Sequence, residues 1–226
     1  RSELLIENHG WRKKVILHKF PLKFLGLAIF LFERINPTKF IFLVLLTAPI
    51  MVQAGWDLDE SNSSIEFISI KNNQISESHN FQKISGSITS EGLVSVTVDL
   101  DSVDTKIPIR DERMRNLFFE TKLFPSATFS AQIPAADLNF EGKTLRVVEV
   151  NGRLNLHGME AELKSRITVL NNNNSLRVIT NYPILIAAED FNLTAGVAKL
   201  QKIAGLDAIS FVVTVILDLV FLESKD

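Results

Sequence analysis

Few residues in this 226-residue chain could carry acid–base or nucleophilic chemistry. There is no cysteine, which removes thiolate catalysis, disulfides and Cys-based metal sites. Two of the four histidines, His9 and His18, precede residue 54, leaving His79 and His157 for the rest of the chain. Two histidines are too few for a His-rich metal site. His157 shares the polar phase of Arg153 and Asn155, opposite Leu154 and Leu156, so it reads as a turn residue rather than a base. Asp99, Asp101 and Asp104 could hold a cation, but they lack the Gly and terminal Glu of a calcium loop. A strand end with solvated carboxylates accounts for them better. No G-x-S-x-G, P-loop or G-x-G-x-x-G segment is present.

Arg110, Asp111, Arg113 and Arg115 form a dense charged cluster. One reading is a solvated helix face laced with i,i+3 and i,i+4 pairs. The other makes Arg110, Arg113 and Arg115 contacts for an anionic headgroup, which guanidinium geometry suits.

The elements that would position these residues are mostly strands. In 94–100, Val94, Val96, Val98 and Leu100 alternate with Ser95, Thr97 and Asp99. In 126–133, Phe129, Ala131 and Ile133 alternate with polar neighbours, as do Ala161, Leu163, Ile167 and Val169 in 161–169. A period of two marks a strand with one apolar face. Residues 63–70, 80–89, 145–157 and 175–186 are rich in Ile, Val, Phe and Leu. The run 209–222 is apolar in both phases, which predicts a strand covered on both sides. Gly and Asn turn signals at 91–92, 141–143, 157–158 and 171–175 separate the runs. Such short connections imply antiparallel neighbours. Eight strands are the number that closes a small barrel able to hold one ligand. Residues 110–119 and 195–204 read as two short helices, the second stopped by Gly205, and both could plug or lid a barrel end.

Residues 1–54 stand apart. They carry a net charge of +5, against −7 for 55–226. Residues 40–52 are almost wholly apolar, follow Lys39 and end in Val52-Gln53-Ala54. That is a signal peptide over 35–54, cleaved after Ala54, and too short to span a bilayer. Residues 1–34 read as a non-native or untranslated leader, with Ile35 a candidate non-standard start; the apolar run Phe20–Phe32 is the alternative, a membrane segment. Residues 55–226 read as one domain. Its acidic balance, without any Lys/Arg-rich run, argues against nucleic acid.

Sixteen Phe against one Tyr and two Trp suit a greasy interior that asks for no polar partners. A barrel so lined favours a long-chain lipid, each buried methylene contributing about 0.8 kcal/mol. With the apolar phase pointing inward, the pocket residues are Phe67, Val96, Val98, Phe129, Leu154, Leu156, Ile167 and Val169, with Leu117 and Phe118 at one mouth.

Several motifs, in order, resemble the YceI-like family of periplasmic polyisoprenoid-binding proteins. They are Trp56-x-Leu58-Asp59 and 64–67 (SIEF); 99–105 (DLDSVDT) with 110–118 (RDERMRNLF); 124–129 (FPSATF); 152–158 (GRLNLHG); and Asp190-Phe191. The likeness runs from Trp56 to about Phe221, and Gly196–Gly205 with the strand after it resemble a variant subgroup. It implies an all-β, eight-stranded antiparallel lipocalin-like barrel, an isoprenoid (in some members a quinone or fatty amide) inside it, and a periplasmic location. It brings no catalytic residues and no cofactor. The expected function is binding, transport or sequestration of the lipid; a homodimer is compatible with this. Two other readings are an envelope stress-response module with a closed core, and an enzyme acting on a lipid through His157 or Asp99–Asp104.

Overall fold

The computed structural model describes residues 55–224, apart from 141, 143 and 173. The expected leader, the signal segment and the Phe20–Phe32 run lie outside the described residues. Among the described residues no helix is long and apolar enough to cross a membrane.

Twelve strands make one sheet: β1 (Trp56–Leu58), β2 (Ser64–Lys71), β3 (Ile75–Phe81), β4 (Ile84–Ile88), β5 (Leu93–Asp99), β6 (Val103–Asp104), β7 (Ser126–Gln132), β8 (Leu145–Leu156), β9 (Met159–Asn171), β10 (Ser175–Thr180), β11 (Ile184–Ala187) and β12 (Val212–Glu223). The pairing order β1-β4-β5-β7-β8-β9-β10-β12 returns to β1, closing an antiparallel barrel of eight. The remaining strands extend members of this ring. β2 continues β1 along β12, β3 continues β4 along β2, and β11 continues β10 along β12. Closure removes the edges of the eight-stranded ring, and each strand can turn one phase inward. On β8 burial alternates strictly from Val148 to Leu156.

The strand runs read from sequence are present, with two breaks. The run 175–186 divides where Pro183, which has no N–H to donate, follows Asn181 and Tyr182. The run 80–89 divides at Gln82 and Lys83, whose N–H groups donate to the Ser102 carbonyl and hydroxyl of a one-turn 3-10 helix, Leu100–Ser102. Ahead of that break the sequence reading missed β3, because the inward phase between Ile75 and Phe81 holds Glu77 and His79. The last strand also departs from expectation. Val213, Val215, Leu217, Leu219 and Phe221 face inward, but Val212, Ile216 and Leu222 on the other phase are exposed.

Among the described residues three α-helices join the sheet: α1 (Pro108–Arg113), α2 (Ala135–Leu138) and α3 (Thr194–Ala204). α1 begins with Pro108, whose fixed φ suits a first turn, and runs into a π-helical turn, Met114–Phe118. α3 ends at Gly205 in the left-handed conformation, as the sequence predicts. α3 packs against the π turn so closely that a Cβ on Gly196 would lie 2.9 Å from Phe118 Cδ2. The two helical segments therefore cover the same end of the barrel.

Candidate functional site: an apolar barrel cavity

The barrel is hollow. Its cavity measures about 240 Å³ as space open to the centre of a water molecule. A run of six strand residues rises about 20 Å. A volume of that size drawn out over such a length has the cross-section of about one hydrocarbon chain.

The walls are built row by row from cross-strand pairs. Val96 on β5 opposes Phe129 on β7, which opposes Leu154 on β8. Val169 on β9 opposes Val178 on β10, which opposes Leu219 on β12. Every lining side chain is Ala, Val, Ile, Leu or Phe, except Ser165 and Ser210. Such a wall has almost no means of holding an ion or a hydrogen-bonding substrate, and it presents a continuous apolar surface to a chain.

Of the side chains expected at the pocket, Phe67, Val96, Val98, Phe118, Phe129, Leu154, Leu156, Ile167 and Val169 line this cavity. Leu117 does not; Phe119 takes that place. The π turn explains the exchange. The Phe119 N–H donates to the Met114 carbonyl five residues back. One extra residue in the turn moves the inward face from Leu117–Phe118 to Phe118–Phe119. The spacing of Met114, Leu117 and Phe118 predicts a regular helix, and no residue type in 110–119 signals the bulge. The rings of Phe118, Phe119, Phe81 and Phe67 then follow one another at 4.7, 5.9 and 5.4 Å, forming an aromatic wall beneath the helical end.

Beyond Phe67 the interior turns polar. His79 pairs with Phe67 across β2 and β3, with ring centroids 5.1 Å apart. Its Nε2 lies 3.0 Å from Ser69 Oγ. Burial, and then the Arg110 guanidinium nearby, push the His79 pKa below its usual value. Glu77 accepts from Arg110 Nη1 at 2.5 Å and pairs with Lys71 at 2.7 Å. These contacts, with the Lys71 hydrogen bond the largest, hold its carboxyl below the usual range.

Apart from Arg113, the charged residues singled out in the sequence are engaged in contacts within the fold. Arg110 also donates to the Thr105 carbonyl at 2.6 Å. Arg115 approaches Asp101 at 3.9 Å, and Arg113 makes no ion pair among the described residues. None of the three arginines lines the cavity. Asp99 caps the 3-10 turn through the Asp101 N–H, while Asp101 accepts from Thr121 Oγ1 at 2.9 Å. Asp104 accepts from Lys106 Nζ and its backbone N–H, which lower its pKa to about 2. His157 sits in the β8–β9 turn with a positive φ of 52° and its Nε2 3.0 Å from a Glu120 oxygen. Among the described residues no three His, Asp or Glu side chains are grouped as metal ligands.

The comparisons with known proteins agree with this geometry. A polyisoprenoid-binding domain from Saccharophagus degradans, implicated in plant cell wall breakdown, is 31% identical, with a TM-score of 0.71 over 75% of this chain and 98% of that one. Burkholderia cenocepacia BcnA, 21% identical, superposes with a TM-score of 0.58 over 72% of this chain and 98% of its own, a likeness of fold. No curated protein matches the chain. The YceI-like domain matches residues 56–221, the whole span from the first barrel strand almost to the end of the last. A closed eight-stranded barrel with a hydrocarbon-lined interior, matched over its full length, makes this chain a member of the YceI-like family.

Proposed function

We propose that this protein binds a long apolar lipid, a polyisoprenoid, inside its barrel, and transports or sequesters it without chemical change. The observation that carries this reading is the cavity itself, whose lining is hydrocarbon apart from two serines. At about 0.8 kcal/mol per methylene withdrawn from water, a chain of tens of carbons binds tightly there without specific polar contacts. Ordering the chain offsets part of that gain. The Saccharophagus degradans relative, named for polyisoprenoid binding, supports the cargo class. A stress-response module with a closed core is the weaker reading, because the interior is not filled by its own side chains.

The same reading places the protein in the periplasm, exported by the segment 35–54. Sequencing the N-terminus of the exported protein tests this: a chain beginning at Gly55 supports it, and an intact leader overturns it.

The cargo is tested by native mass spectrometry of protein purified from a bacterial host. A mass addition that organic extraction releases, and that proves to be a polyisoprenoid, is the expected result. A quinone or fatty amide in its place would keep the carrier and change the cargo. Bare protein that also fails to take up geranylgeraniol from ethanol would end the proposal.

A further inference from the structure

Among the residues that line the cavity, Phe211 is the exposed one, 46% accessible. It marks where the interior meets the surface, between the end of β11 and the start of β12. The Ala188 N–H donates to its carbonyl at 2.7 Å, and the Ser210 N–H donates to the Ile70 carbonyl at 2.9 Å. The strands that converge there are β11, β12 and β2.

Their outer face is apolar. Directly opposed residues of an antiparallel ladder share a face. Thr214 opposes both Ile68 and Leu185, so these three side chains form one outward row. Ile70, Val212 and Ile216 stand two residues along on the same face. Ile70, Leu185, Val212 and Ile216 are exposed, Leu185 at 64%. None of the six ionises. The face ends, away from Phe211, in Glu66 and in the Arg177–Asp218 pair at 2.5 Å.

We propose that this face docks on the surface of an uncharged lipid bilayer, so that the cargo passes between membrane and cavity at Phe211. The inference rests on the carrier reading above. A long chain crossing open water would lose the whole of its apolar burial on the way. A mouth beside an apolar face lets it move from one oily phase to the other. The charge balance favours a neutral lipid surface over a second copy. Residues 55–226 carry −7, so two such bodies repel, as would an anionic partner.

The test compares the exported protein with the triple variant Leu185→Gln, Val212→Thr, Ile216→Thr. These sites are exposed and outside the cavity, so the fold and the cavity stay intact. Flotation with phosphatidylcholine vesicles, uptake of geranylgeraniol from those vesicles, and uptake of geranylgeraniol from ethanol are measured on both. The expected result is flotation and vesicle uptake reduced at least about tenfold in the variant, since each aliphatic side chain withdrawn from water contributes more than one tenfold step. Uptake from ethanol stays equal. A variant that floats and loads like the parent overturns the proposal. So does a parent that fails to float and is instead a dimer that the variant dissociates. Failure of the parent to bind geranylgeraniol from ethanol strikes the carrier reading alone, because flotation still reports on the docking face.

Discussion

The imidazole Nε2 of His157 lies 3.0 Å from a carboxylate oxygen of Glu120, joining the β8–β9 hairpin to the segment that carries Phe118 and Phe119 into the cavity. The Phe124 ring packs against the same imidazole at a tilt of 50°, with centroids 4.3 Å apart. His157 is buried, while the Glu120 side chain is 43% exposed, so water reaches the carboxylate side of the contact.

Removing one partner leaves the other polar group unpaired. Glu120→Ala is expected to cost up to about 1 kcal/mol, the net contribution of a hydrogen bond whose exposed partner water can partly replace. Urea unfolding of Glu120→Ala, His157→Ala and the double variant gives the coupling. Additive effects would show that the hydrogen bond contributes nothing.

His79 makes stability depend on pH in a defined direction. Its folded pKa is depressed by burial and by Arg110. The unfolded chain therefore takes up a proton first, near pH 6.5. The His79 contribution is complete above that pH and is lost as pH falls from 6.5 through the lower folded value. Urea midpoints between pH 7.5 and 5 should fall for the parent and fall less for His79→Asn. Equal slopes would remove His79 from the account.

A hollow interior changes what a larger side chain costs. In a packed core, added methylenes cost about 1–3 kcal/mol. Ile167 lines the cavity, so Ile167→Phe should cost less than about 1 kcal/mol while cutting the amount of geranylgeraniol bound. A large loss of stability with binding unchanged would mean that the space at Ile167 is not where the chain lies.

Gly152 gives the opposite case. A Cβ there would meet Phe129 Cζ at 2.3 Å and the Ser130 carbonyl oxygen at 2.5 Å. Phe129 occupies the space a side chain would need on β8. Gly152→Ala should destabilise by about 1–3 kcal/mol, read as a lower urea midpoint. An unchanged midpoint would show that Phe129 has room to move aside.

Sequence reading was most accurate where one face of a strand is apolar and the other polar. Val96, Phe129, Leu154 and Val169 all sit on clean alternations and all reach the cavity. It failed at β3, where the inward positions hold Glu77 and His79, so that the period-two signal vanished. It failed again at Leu117, where a single extra residue in a π turn rotated the face. It misjudged β12, whose apolar outer phase was read as buried.

The chain's own pattern of alternating residues and short Gly and Asn turns was enough to establish an antiparallel barrel with a greasy interior, because side-chain phase and turn conformation are local properties. Only the tertiary structure decided that the interior stays hollow, that His79, Glu77 and Arg110 gather beyond Phe67, and that one outer face remains apolar beside Phe211. Those features depend on which rows meet across a closed ring and how completely they fill it. No stretch of sequence holds that information, since it belongs to the spacing between strands far apart in the chain.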